Sequence, residues 1–68
     1  MAKYYVNKNA QSNGDHEVHN EDCAWLPNKE NREYLGEFDN CKDAVEKAKK
    51  TYPTADGCGR CSKECDER

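Results

Sequence analysis

Asp56-Gly57-Cys58-Gly59-Arg60-Cys61 is a C-x-x-C knuckle near the end of the chain, and His19-x-x-x-Cys23 lies upstream as its counterpart. Two thiols separated by two residues can grip one ion from a single tight turn. The small residues such a turn needs are present as glycines on either side of Cys58. Tetrahedral zinc takes four nitrogen or sulfur ligands, commonly supplied as two such pairs. The pattern therefore predicts one Zn²⁺ site made of His19, Cys23, Cys58 and Cys61, closing the intervening chain into a loop. Four protein ligands leave no open position for water, so the site is expected to be structural rather than hydrolytic. Backbone N–H groups around Gly57, Gly59 and Arg60 are the expected partners for the charge of its thiolates.

The rest of the composition explains why a staple is needed. The chain has 68 residues, enough for one domain, with 34% hydrophobic and 37% charged residues. A chain this small and lean buries little apolar surface, and such domains usually depend on a metal or on disulfides. Its apolar runs are as short as Tyr4-Tyr5-Val6 and Ala24-Trp25-Leu26, too short for a transmembrane helix or the apolar core of a signal peptide. No membrane association is expected, and the expected compartment is the cytoplasm. Thiols stay reduced there, and clustered cysteines read as metal ligands. The five cysteines fit that reading, since a full disulfide framework would leave one over. Acidic residues outnumber basic ones 14 to 11, for a net charge of −3. Nucleic-acid binders usually carry a basic excess. Lys42, Lys47, Lys49 and Lys50 share one segment, but the acidic residues interleaved there make it read as a solvated helix face.

Working outward along the chain, Ala2 to Asn7 reads as a strand, followed by a loop to Asp15 punctuated by Asn13-Gly14. His16-Glu17-Val18-His19 reads as the returning strand. Alternation puts His16 with Val18 and Glu17 with His19, so only one histidine reaches the metal, and His19 has the better spacing to Cys23. Trp25 and Leu26 are expected to supply much of the core. Asn28 to Glu33 looks like a loop, and Tyr34 to Phe38 like a strand with Tyr34, Gly36 and Phe38 on one face, its glycine permitting a bulge. The clearest helix runs from Cys41 to about Thr51, with Asn40 as N-cap and an apolar face of Cys41, Ala44, Val45, Ala48 and Tyr52. Pro53 ends it, Thr54 to Gly57 leads into the knuckle, and Ser62 to Arg68 is a charged tail with room for one helical turn. Frayed ends are expected at 1–3 and 66–68.

Two cysteines fall outside the four-ligand set. Cys65 is the alternative ligand, in place of Cys58 or His19; otherwise it stays free, and its replacement by serine is expected to cost little. Cys41 lies on the apolar helix face and reads as a small buried hydrophobe, with a Cys41–Cys65 disulfide if the protein is oxidised. The enzyme rival is thiol–disulfide exchange at the C-x-x-C. That chemistry favours a thiol at a helix N-terminus with a lowered pKa, and the flanking glycines suit a metal knuckle better.

Read together, Val6-Asn7-Lys8-Asn9, His19-x-x-x-Cys23, Leu26-Pro27, Asn31-Arg32, the strand ending at Phe38, the capped helix around Ala44 and Tyr52-x-x-x-x-x-Cys58-x-x-Cys61 resemble the Ada-like metal-binding modules. These are named for the zinc domain of a bacterial DNA alkylation-repair protein, and small modules of this kind are attached to nucleases and other proteins in bacteria. The resemblance covers about Tyr4 to Cys61. It implies a small α+β fold, a three-stranded antiparallel sheet plus one main helix, stapled by zinc through His19, Cys23, Cys58 and Cys61. It does not carry the repair chemistry: His19 stands where the methyl-accepting cysteine would be, so no enzyme activity is expected. The segment from Tyr52 to Cys58 is longer than in that family, and Cys65 is additional. The reading is a single zinc-binding domain over 1–68, expected as a monomer, that mediates interaction with an unknown partner, protein or nucleic acid. The alternative is a thiol-based redox or metal-handling protein using the C-x-x-C and Cys65.

Overall fold

A computed structural model describes residues 1–66 of the chain; Glu67 and Arg68, the end of the expected charged tail, lie outside the described residues. Strand β1 spans Ala2–Asn7 and β2 spans His16–Asn20. The loop between them is held by side-chain turns: the Asn7 Oδ1 accepts from the Asn9 N–H at 2.9 Å, and the Asn13 Oδ1 from the Asp15 N–H at 3.0 Å. Gly14 between them takes a φ of +89°, a conformation that favours glycine. Strand β3 spans Arg32–Phe38, beginning two residues earlier than the apolar pattern predicts, directly after a short 3₁₀ turn at Lys29–Asn31. The helix, α1, spans Cys41–Lys49. Its start is the expected one, with the Asn40 side chain accepting from the Asp43 N–H at 3.0 Å. Beyond Lys49 the chain tightens, and the Thr51 and Tyr52 N–H groups both return to the Ala48 carbonyl.

The expectation of three antiparallel strands is corrected by a fourth. Strand β4, Ala55–Gly57, pairs in parallel with β2, so the sheet is mixed and four-stranded in the order β3-β1-β2-β4. Ala55, Asp56 and Gly57 lack the apolar alternation that marks a strand in sequence. Their pairing is imposed from outside: α1 carries the chain back across the sheet and lays these residues along the open edge of β2. The Cys58 N–H extends that pairing by donating to the Val18 carbonyl at 2.9 Å.

The helix packs on one face of the sheet. Tyr4, Val6, Val18, Leu35 and Ala55 meet Cys41, Ala44, Val45 and Ala48 in a single core, with Phe38 and Tyr52 at its margin. Ala44 and Ala48 have no bulk to hold the helix away, and both are essentially fully buried. Leu35 reaches this face because β3 is irregular. Tyr4 pairs with Gly36 and Tyr5 with Tyr34, so Leu35 is an extra residue on β3, and Gly36 takes a φ of +121°. The shift separates Tyr34, which is exposed, from Phe38, where plain alternation would have kept them together. Trp25 is a further correction: it is 59% exposed and takes no part in the core. It sits in the turn after Cys23, beyond the end of β2, where the chain is turning away from the helix. The opposite sheet face carries a row across three strands, His19 beside Tyr5 beside Tyr34, because these residues are direct cross-strand partners.

Candidate metal centre

His19 occupies the next-to-last position of β2, and Asn20 then reverses the chain. The Asn20 carbonyl accepts from the Cys23 N–H at 3.2 Å, and its side-chain oxygen from the Asp22 N–H at 3.0 Å. This turn returns the Cys23 sulfur to 3.4 Å from His19 Nδ1. From the other end of the chain, β4 delivers Cys58 beside β2. A second turn, closed by the Ser62 N–H on the Cys58 carbonyl at 2.9 Å, brings Cys61 Sγ to 3.9 Å from His19 Nδ1. Cys23 Sγ and Cys58 Sγ are 3.9 Å apart, and the four ligand atoms all lie within 4.8 Å of one another. The side chains of His19, Cys23, Cys58 and Cys61 therefore lie close together and can hold a metal ion.

The distances suit a tetrahedral ion. With Zn–S bonds of about 2.3 Å and a Zn–N bond of about 2.0–2.1 Å, a regular tetrahedron has S···S edges of about 3.8 Å and N···S edges of about 3.5 Å. The chemistry of the donors fits as well: a neutral imidazole nitrogen and three thiols that ionise on binding. Burial pushes the Cys58 thiol up from its ordinary 9.0, and pushes Cys61 up to about 12, with the contact to Cys23 adding to the effect. Burial lowers His19 below the ordinary 6.5, which keeps the imidazole neutral as a ligand must be. Some of the thiolate charge is met by the main chain. The Arg60 and Cys61 N–H groups serve Cys58, and that of Asn20 serves Cys61. Arg60 was among the expected donors; Asn20 was not.

The remaining sequence-level candidates fall elsewhere. Cys65 is bonded to Cys41 in a disulfide, so its place as alternative ligand is taken by a different partner. The bridge ties the first residue of α1 to the 3₁₀ turn Lys63–Cys65, which follows the knuckle directly. Cys41 is buried as expected, at 2% exposure. His16 lies away from the cluster: its Nδ1 contacts the Asn7 carbonyl at 2.9 Å, and its ring lies on Tyr52 with centroids 4.3 Å apart. Gly57 has a steric reason that the turn argument did not supply. A Cβ there would meet the Ser62 carbonyl oxygen and the Cys65 Cβ, each at 2.7 Å.

Residues around the centre complete it. The Arg60 guanidinium lies over the exposed Trp25 ring at 5.5 Å, and the two residues share a cleft with His19 and Cys58. Further along the same sheet face, Tyr5 and Tyr34 pack with ring centroids 5.3 Å apart and planes tilted by 48°, with the Arg32 guanidinium 4.6 Å from the Tyr5 ring. Sequence reasoning missed both arginine–aromatic pairs, since their partners are distant along the chain. No family model, curated protein or solved structure matches the chain. Among the described residues no helix is long and apolar enough to cross a membrane.

Proposed function

We propose that this chain is a non-enzymatic module stapled by Zn²⁺, acting by presenting a surface to a macromolecular partner, protein or nucleic acid. The observation that carries the proposal is the convergence of His19 Nδ1 and the sulfurs of Cys23, Cys58 and Cys61 within 4.8 Å of one another. Three thiolates and an imidazole select zinc over harder cations, and four protein ligands complete its usual coordination. The surface is the face that carries the Trp25–Arg60 and Tyr5–Tyr34–Arg32 groups. Aromatic residues and arginine are the types that dominate binding energy at interfaces. The net charge of −3 favours a protein over nucleic acid as partner. Membership of the Ada-like modules and a bacterial source belong to the same proposal, on the strength of the residues quoted for the resemblance.

The redox alternative has less support. A nucleophilic thiol needs a lowered pKa, and burial moves Cys58 and Cys61 the other way. Cys65, the proposed third thiol of that scheme, is engaged with Cys41. Metal analysis separates the two readings. The stapled-module reading expects protein purified without added metal to carry one zinc per chain by native mass spectrometry, and a chelator to collapse its amide spectrum. Unchanged dispersion after complete removal of metal overturns the stapled-module reading. Filter binding with single- and double-stranded DNA at low and moderate salt tests the nucleic-acid branch, and the absence of salt-sensitive retention rules it out.

A further inference from the structure

We propose that Glu17 is the positioning residue of the metal centre, accepting a hydrogen bond from His19 Nε2–H so that the Nδ1 lone pair faces the three sulfurs. The inference rests on the metal-binding reading above. His19 is 1% exposed, and its two ring nitrogens have different surroundings. Nδ1 faces the cluster, 3.4 Å from Cys23 Sγ and 3.9 Å from Cys61 Sγ. Nε2 points away from it, buried and without a hydrogen-bond partner. The Glu17 Oε1 lies 3.7 Å from that nitrogen. A buried N–H left without an acceptor costs about 1–3 kcal/mol. A small rotation of the Glu17 side chain closes the gap to a normal N–H···O distance of about 2.9 Å.

The placement follows from strand geometry. Glu17 and His19 are alternate residues of β2 and project on the same face. Both line the cleft next to the centre, together with Cys58. A carboxylate beside thiolates is otherwise a poor choice. Accepting the hydrogen bond from His19 Nε2–H gives that carboxylate a compensating partner, and the imidazole becomes a better donor once Nδ1 binds a cation. Histidine ligands generally donate their second nitrogen in this way, and the acceptor sets ring orientation and tautomer.

The test uses the full chain with zinc, as wild type, Glu17→Ala and Glu17→Gln. Zinc affinity is measured by competition with a chromophoric chelator, and long-range ¹H–¹⁵N spectra report His19 in the zinc-loaded state. Glu17→Ala is expected to weaken affinity about 10- to 100-fold, the usual effect of losing such a partner. Glu17→Gln, which keeps an acceptor oxygen, recovers most of the loss. The His19 Nε2 proton is expected to move upfield in Glu17→Ala alone, with amide dispersion at saturating zinc retained. Wild-type affinity in Glu17→Ala overturns the proposal. Equal losses in both variants with an unmoved His19 proton overturn it too, since that pattern belongs to bulk charge. A wild-type chain that takes up no zinc overturns the metal centre itself, a failure visible before any substitution is made.

Discussion

Gly57 shows what a single missing side chain does here. Its position is the last of β4, and the chain doubles back over it so closely that backbone and Cβ atoms of residues 62 and 65 fill the space a methyl group would take. Gly57→Ala is expected to cost about 1–3 kcal/mol, the range for overpacking a tight contact, read as a lower urea midpoint at saturating zinc. Tyr52 makes a different point. Burial, the charge of Glu33 and a 3.4 Å hydrogen bond to its carboxylate hold the phenol above its ordinary 10.0. The folded state therefore keeps that proton longer than the unfolded chain. The resulting stability is present below the ordinary value and is lost as pH rises through it toward the folded value. Urea unfolding at increasing alkaline pH should show a steeper loss for wild type than for Tyr52→Phe. Neither effect is visible in sequence, where Gly57 reads as turn chemistry and Tyr52 as one more apolar position on a helix.

At the level of elements, the helix was the most legible part. Asn40, Asp43 and the spacing of Cys41, Ala44, Val45 and Ala48 are local signals, and all four apolar residues are buried. Asn40→Ala is expected to cost about 1 kcal/mol through loss of the cap, again read from the urea midpoint, with no loss of bound zinc. Strands β1 and β2 were legible for a similar reason, as short β-favouring runs on either side of a turn. β3 was legible except at its start and its irregularity: Gly36 suggested a bulge, but not that Leu35 would be the residue turned inward. β4 was not legible. Three residues with one apolar side chain carry no period, and only the edge of β2 makes them a strand.

For the whole molecule, the Cys41–Cys65 bridge joins the helix to the turn behind it, and the His19, Cys23, Cys58 and Cys61 cluster, which can hold a metal ion, brings β2 and the knuckle together beside a small core. Cys23→Ser and Cys58→Ser are each expected to lose both zinc and folded structure. Apparent binding free energies of about 10–16 kcal/mol for structural zinc in small domains exceed the roughly 3–5 kcal/mol a core of this size supplies. Circular dichroism with metal analysis checks this outcome. Cys65→Ser should keep its zinc. The bridge spans 24 residues, so its loss costs about 3.5 kcal/mol by loop entropy under oxidising conditions. The difference from wild type should vanish in reductant. The small cost expected from sequence thus holds only where the bridge is open.

Unaided, the sequence determined the capped helix, the first two strands and the residues that converge on the candidate metal centre. Each of these rests on local chemistry: caps, periodicity, and the fixed reach of a histidine–cysteine pair and a C-x-x-C turn. Tertiary structure alone decided that β4 completes a mixed sheet, that Cys65 turns to Cys41, and that Trp25 faces solvent beneath Arg60. Those outcomes depend on which distant segments are brought side by side. In a chain with so few apolar residues, the helix docking on the sheet and the convergence of the ligands make that selection, and spacing along the sequence carries no record of it.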